Sequence, residues 1–275
     1  MKTRVISGLI MLPLLAVVYL GGYPLILACF LVGILGVKEF YKGFESLDIY
    51  PSYTIAYGAA AVLYAIHLFS GFGGVLQGSR NTLYMLWFFL SILFSLLYLF
   101  QIEKRRLEDG MASIAGIFYV IFFSYHVALI DELRTGLNDY HLMVWLVFLT
   151  AFGTDIMAYF SGSFFGKHKL CPAISPKKTI EGSVGGTLGS MVLCGLFGYF
   201  VMPDLLVHCV IIGFLGGIVS QLGDLAASIF KRKMGIKDYG NLIPGHGGIM
   251  DRFDSVLFTA PLVYYYIMLV LVQNI

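Results

Sequence analysis

Nine apolar runs divide this chain, and most are long enough to cross a bilayer. A helix spans the hydrocarbon core with about 20 residues, because every backbone N–H and C=O must find its partner inside the segment. The runs lie at about residues 5 to 21, 23 to 37, 53 to 70, 82 to 100, 112 to 130, 141 to 163, 183 to 202, 205 to 229 and 254 to 272. The second is short for a span, and Pro203 with Asp204 marks the break between the seventh and eighth. Composition agrees, at 59% hydrophobic and 12% charged, where soluble domains carry about 45–50% and about 25%. The expectation is an all-α, polytopic integral membrane protein with nine transmembrane helices. Its first half, 1–140, reads only as membrane helices; the polar information is concentrated in 141–275, with loops at 164–182 and 230–253.

The N-terminal MKTRVISGLIMLPLLAVVYLGG has the cations and apolar run of a signal peptide but no small-residue cleavage site, so a first spanning helix is expected. The absence of a transit peptide fits a bacterial type of protein.

Charge placement orients the spans. With nine helices, the N-terminus and the loops after even-numbered spans share one side, which carries Lys2, Arg4, Lys38, Lys42, Lys104, Arg105, Arg106, Lys167, Lys169, Lys177, Lys178, Lys231, Arg232, Lys233, Lys237 and Arg252. Of the 18 basic residues only Arg80 and Arg134 fall opposite. Cytoplasmic loops are enriched in Lys and Arg, so this side, including the N-terminus and the loops at 164–182 and 230–253, is expected to face the cytoplasm from the cell's inner membrane.

Two of these loops differ from the rest. GKHKLCPAISPKKTIEG carries four lysines and Glu181 between glycines, and Ser228 to Asp254 reads SIFKRKMGIKDYGNLIPGHGGIMDRFD. Cation clusters on a cytoplasmic face are commonly explained by the positive-inside bias and anionic lipid. Acids within the neighbouring spans argue for more: Asp155 lies in span six and Asp224 in span eight, and a carboxylate at membrane depth costs several kcal/mol unless it meets water, a cation or a metal. On a helix, Gln221, Asp224, Ser228 and Lys231 form one polar stripe, and Asp251 and Asp254 open the last span. Carboxylates on two helix ends suit Mg²⁺, which takes one or two of them plus waters and substrate phosphates. Lys and Arg would neutralise phosphate oxygens, and the glycines of PGHGG would let backbone N–H groups approach an anion. Together these features indicate phosphoryl or nucleotidyl transfer at a membrane surface.

The same residues carry a resemblance. Ser228, Lys231-Arg232, Lys237-Asp238, Pro244-Gly245-His246-Gly247-Gly248 and Asp251-Arg252-Phe253-Asp254 closely resemble the pattern of the phosphatidate cytidylyltransferases, the CDP-diacylglycerol synthases. DIMAYFSGSFFGKHKL and ISPKKTIEGSVGG look like the preceding blocks of that family. The likeness is detailed over residues 150 to 260. It implies that CTP and phosphatidate give CDP-diacylglycerol and pyrophosphate at a membrane lipid surface, with Mg²⁺ and a second, monovalent cation, in a homodimer; nucleic acid is not expected as a partner.

On this basis Asp224 and Asp251 are expected to bind metal, with Asp254 a third ligand or an acid behind it. Lys231, Arg232, Lys237 and Arg252 are expected on phosphates, and Asp155, Lys177, Lys178, Glu181 and Ser228 on substrate. Asp238 reads equally as a turn residue. For His246 three roles stand: phosphate or nucleotide binding, acid catalysis toward pyrophosphate, and loop structure. His67, His126 and His208 read as structural or interfacial, the four cysteines as packing thiols without metal-ligand spacing, and SVGGTLGSMVLCGLFGYF as a close-packing helix face.

A secondary transporter would also bury Asp155 and Asp224, but its charges belong at the midplane of two repeated halves. An enzyme for a polyprenol or ether lipid would share the site and differ in its acyl groove. A scaffold gives no reason for buried acids.

Overall fold

A computed structural model describes residues 15–70, 76–133, 139–242 and 247–272. Among these, eight helices are long and apolar enough to cross a membrane, and the only sheet is a two-stranded hairpin. The protein is therefore all-α and multi-pass. Most of the expected first span lies outside the described residues; its residues 15–20 are helical.

The helices are α1 (Gly22–Glu45), α2 (Tyr53–Ser70), α3 (Arg80–Leu97), α4 (Leu107–Glu132), α5 (Val144–Phe165), α6 (Ile180–Val201), α7 (Leu206–Lys233) and α8 (Met250–Tyr266). Gly21 and Gly22, with φ of 56° and 57°, turn the chain into α1 through a left-handed backbone that side-chain-bearing residues avoid. The second span is not short, contrary to expectation. Lys38, Glu39 and Lys42 end the apolar run without ending the helix, which continues about two turns further, to Glu45. Hydropathy marks where the lipid ends, and the backbone ladder continues beyond it.

The chain forms two compact units, and they do not follow chain order. One contains the described residues up to Ala128 together with Met234–Arg252; the other contains Leu129 onward, Asn138–Lys233 and the residues from Phe253.

In the first unit, Val37, Phe40 and Tyr41 of α1, Ala56, Ala60 and Leu63 of α2, and Ile117, Val120 and Ile121 of α4 are buried together. The Tyr41 hydroxyl donates to the Ser113 carbonyl at 2.6 Å, just before α4 widens into a π-helical segment over Gly116–Phe122. Side chains that enter the helical ladder commonly mark such widenings. The tyrosine ring also fills the space beside Gly116, where no Cβ would fit.

In the second unit, small residues let α5, α6 and α7 approach closely, as the glycine-rich sequence predicts. A Cβ on Gly217 would lie 3.0 Å from the Thr187 Cα, and one on Gly186 3.0 Å from the Thr154 carbonyl. Such contact stabilises helices in lipid through packing, since burial from an apolar solvent drives nothing. Between α5 and α6, the segment expected as a loop forms β1 (Lys169–Cys171) and β2 (Ser175–Thr179), antiparallel, with Lys169 facing Thr179. The Ile174 N–H donates to the Cys171 carbonyl at 3.1 Å to close the turn around Pro172.

Candidate functional site

In the second unit, α5, β2, α6 and α7 enclose a cavity of about 440 Å³. Asp155 of α5, Lys177 and Lys178 of β2, Ser183 of α6, and Gln221 and Asp224 of α7 give it charged and polar lining; Ala158, Tyr159 and Leu170 add apolar lining. An ion pair joins Lys178 Nζ to Asp224 Oδ2, with each side chain 26% exposed. Ser228, the next residue on the expected stripe, directs its hydroxyl at Asp224 Oδ1 over 3.4 Å. Gln221 fixes the α6 side of the stripe by donating to the Ser183 carbonyl at 3.2 Å and to Thr187 Oγ1 at 3.0 Å.

Asp254 lies deeper, at 7% exposure, within electrostatic range of Asp224, Asp155 and Lys231. Its Oδ1 accepts the Ser255 N–H at 2.8 Å. Gly223 is what allows this crowding, because a Cβ there would lie 2.9 Å from the Asp254 carbonyl and 2.9 Å from the Phe258 ring. The helix ends suit their charges. Lys231, Arg232 and Lys233 occupy the last turn of α7 and Asp251 the first turn of α8, each complementing the helix dipole.

The hairpin is braced from its base. Thr179 caps α6 by accepting the Gly182 N–H at 3.1 Å, and the Ile180 N–H donates to the His168 carbonyl at 2.9 Å. Glu181, expected on substrate, accepts from the Lys167 N–H at 3.1 Å and from His168 Nδ1 at 2.6 Å, and it does not line the cavity. Arg232 Nε donates to the Ile174 carbonyl at 3.3 Å and so holds the hairpin turn. Lys177 and Lys178 are therefore presented by a restrained strand.

In the first unit, the loop that follows α7 folds around two carboxylates. Asp251 Oδ2 accepts the Tyr239 N–H at 2.8 Å and the Gly248 N–H at 3.0 Å. Gly247, at φ 83°, must be glycine both for its backbone and because a Cβ would meet Asp251 Oδ2 at 2.7 Å. Glu39 of α1 supplies the second carboxylate, with Oε2 accepting the Met250 N–H at 2.9 Å. The expectation that the PGHGG glycines offer backbone N–H groups to a phosphate is thus corrected at Gly248, whose N–H is taken by the protein's own carboxylate. His246, with Pro244 and Gly245, lies outside the described residues. Lys237 and Asp238 are exposed, and Arg252 is half-buried.

The histidines read as structural behave so. His67 pairs with the Tyr125 hydroxyl at 2.7 Å, His208 with the Tyr266 hydroxyl at 2.9 Å, and His126 with the Phe122 carbonyl at 2.9 Å.

The model of the cytidylyltransferase family matches residues 2–270. The chain belongs to that family. It is similar to the phosphatidate cytidylyltransferase of Synechocystis sp., with 37% identity over 98% of this chain and 97% of that protein. The enzyme of the same name from Staphylococcus haemolyticus is 33% identical over 95% of this chain and 97% of its own length. That of Bacillus subtilis is 39% identical over 58% of each chain.

Cytidylyl transfer brings two polyanions together, so the donor set must neutralise charge. Among the described residues, no three His, Cys, Asp or Glu side chains converge as a ready metal cage. Mg²⁺ seldom uses such a cage; it is usually bound by one or two carboxylates and completed by water and substrate phosphates. Asp224 and Asp254 fit that requirement, and Lys178 already places a positive charge on Asp224. Glu39 is the residue that the sequence reading missed. Its signal was an acid just after the second apolar run and beside Lys38, where it passes for a span boundary.

Proposed function

We propose that this cytidylyltransferase acts on CTP and phosphatidate, forming CDP-diacylglycerol and releasing pyrophosphate. The carrying observation is that a family match over almost the whole chain coincides with a cavity whose lining combines lysines, aspartates and apolar side chains. A lipid phosphate needs both kinds of contact.

In the reaction an anionic oxygen of the lipid phosphate forms a bond to the α-phosphorus of CTP, and the bond from that phosphorus to the α–β bridging oxygen breaks. The electron pair leaves with pyrophosphate. The attacking oxygen is already ionised near neutral pH, so the chain need not supply a strong base. Its task is to hold two anions in line, and positioning with charge neutralisation carries most of such a barrier. Lys177 and Lys178 receive the lipid phosphate at the cavity wall, and Lys231 and Arg232 at the end of α7 take phosphate charge, Arg232 while tethering the hairpin. Lys237 on the loop after α7 and Arg252 in the first turn of α8 serve the same purpose, and Ser228 steadies Asp224. Asp224 and Asp254 would hold Mg²⁺, which when bound offsets charge on the transferring phosphoryl group. Asp251 holds the loop through its two N–H bonds in addition to any metal role.

The Lys and Arg split supports a cytoplasmic N-terminus and active-site loops in the inner membrane, and the family resemblance supports a homodimer. Labelling a cysteine placed at Lys237 tests the orientation: reaction in inside-out vesicles agrees with it, and reaction only from the outer face of intact cells contradicts it.

The substrate test compares diacyl phosphatidate, ether-linked phosphatidate and polyprenyl phosphate as acceptors of label from CTP. The reading predicts the highest kcat/KM for diacyl phosphatidate. Preference for a polyprenyl phosphate would replace it with a related lipid cytidylyltransferase.

A further inference from the structure

The loop bearing the most specific part of the sequence pattern is not self-supporting; it is built on α1. The Met234 carbonyl accepts from Ser46 Oγ at 2.6 Å, and the Met234 thioether fills the space beside Gly43. Tyr239 packs its ring against Phe40, with centroids 6.0 Å apart. Beside Phe40 on the same helix lies Glu39. Its Oε2 accepts the Met250 N–H at 2.9 Å, and the Ile249 backbone also hydrogen-bonds to this carboxylate. A Cβ on either Gly240 or Gly248 would collide with it. Both ends of the loop thus close on one carboxylate, and the adjacent Gly248 N–H is taken by Asp251.

This arrangement has chemical content. The first N–H groups of a helix lack partners within the helix and attract anions. At the entry to α8 the N–H groups of Gly248, Ile249 and Met250 are met by Asp251 and Glu39, so these three donors are taken by the protein's own carboxylates. We infer that Glu39 is a positioning residue for cytidylyl transfer, acting through residues 239–242 and 247–250 to hold Asp251, Arg252, Gly247 and Gly248 in a fixed arrangement. The inference rests on the reading of this loop as part of the CTP- and lipid-phosphate-handling machinery. A glutamine at 39 would keep the side-chain length and remove the charge. An aspartate would keep the charge and fall one methylene short.

The test uses the full-length protein in detergent or vesicles, with Glu39→Gln, Glu39→Asp and, as a charge control on the exposed face of α1, Lys42→Gln. Residues that orient a site through its ligands typically change activity by about 10–100-fold, and a kcat loss of that size is expected for Glu39→Gln. Hydrogen exchange of the Ile249 and Met250 amides should accelerate in the same variant, because their acceptor is weakened. Glu39→Asp should recover part of both, and Lys42→Gln should match wild type. Wild-type kcat with unchanged exchange in folded Glu39→Gln overturns the inference, as does an equal loss in Lys42→Gln. If Glu39→Gln does not fold, Gly248→Ala, which pushes into the carboxylate from the opposite side, takes its place, and wild-type kcat there overturns the inference. A wild-type protein without CTP-dependent lipid activity sinks the functional reading instead, while the exchange measurement still decides whether Glu39 holds the loop.

Discussion

Lys178 rests its ammonium on the carboxylate of Asp224, so the acid expected to bind a metal already carries a counter-cation. The contact accounts for an acid inside a membrane helix in the substrate-free protein. It also puts Lys178 in competition with any cation for Asp224. Lys178→Ala should therefore tighten Mn²⁺ binding to the substrate-free protein, read by electron paramagnetic resonance, while CTP-dependent turnover falls. Weaker Mn²⁺ binding in that variant would show that Asp224 is not a metal ligand.

The second acid has a separate test. Asp254 is buried on α8 and senses Asp224. Removing one preorganised electrostatic group from a transition state typically costs about 10²–10³ in kcat. Asp224→Asn and Asp254→Asn are each expected to lose that much, with the doubly substituted protein losing less than the product of the two, since both serve one centre. Wild-type turnover in either single variant contradicts the assignment.

Gly223 should be sensitive although it carries no functional group. Its missing side chain lets α7 touch the α8 backbone beside Asp224 and Asp254. Overpacking of this kind costs about 1–3 kcal/mol, and a shift of about 1 Å in a reacting group can cost 10²-fold in rate. Gly223→Ala is expected to reduce kcat far more than Gly58→Ala, where a Cβ meets nothing within 4 Å. Equal, small effects would show that the contact does not position the acids.

Much of this was legible in the sequence, and the exceptions share a cause. The described spans fall within a few residues of the apolar runs except at the end of α1, because a long hydrophobic run in lipid leaves the backbone no choice but a helix. The stripe from Gln221 to Lys231 followed from helical spacing alone. The β hairpin was missed because its strands are three and five residues long and are set by Thr179, Glu181 and His168, and no period reveals so short an element. Glu39 was missed because its partners are more than 200 residues away, at Gly240 and Met250. The partners of Glu181 and of the Gly248 N–H within the protein were hidden for the same reason: a residue's type gives its chemistry, and only the fold says which neighbour uses it.

Thr179 offers a stability test of the hairpin. It is 9% exposed and caps α6 through Gly182. Loss of such a cap costs about 1 kcal/mol. Thr179→Ala should lower the thermal midpoint and raise KM for the lipid, while Thr179→Ser, which keeps the acceptor, should stay near wild type. Identical behaviour of the two would mean that the hydroxyl does not hold the hairpin.

The central claim is that the chain joins the cytidylyl group of CTP to a lipid phosphate. The most direct measurement gives the purified protein phosphatidate vesicles, Mg²⁺ and CTP labelled either at the α- or at the γ-phosphate. The account predicts that α-label enters the lipid phase one for one with pyrophosphate released, and that γ-label stays in water. Transfer of γ-label to the lipid, or CTP breakdown without labelled lipid, would contradict it.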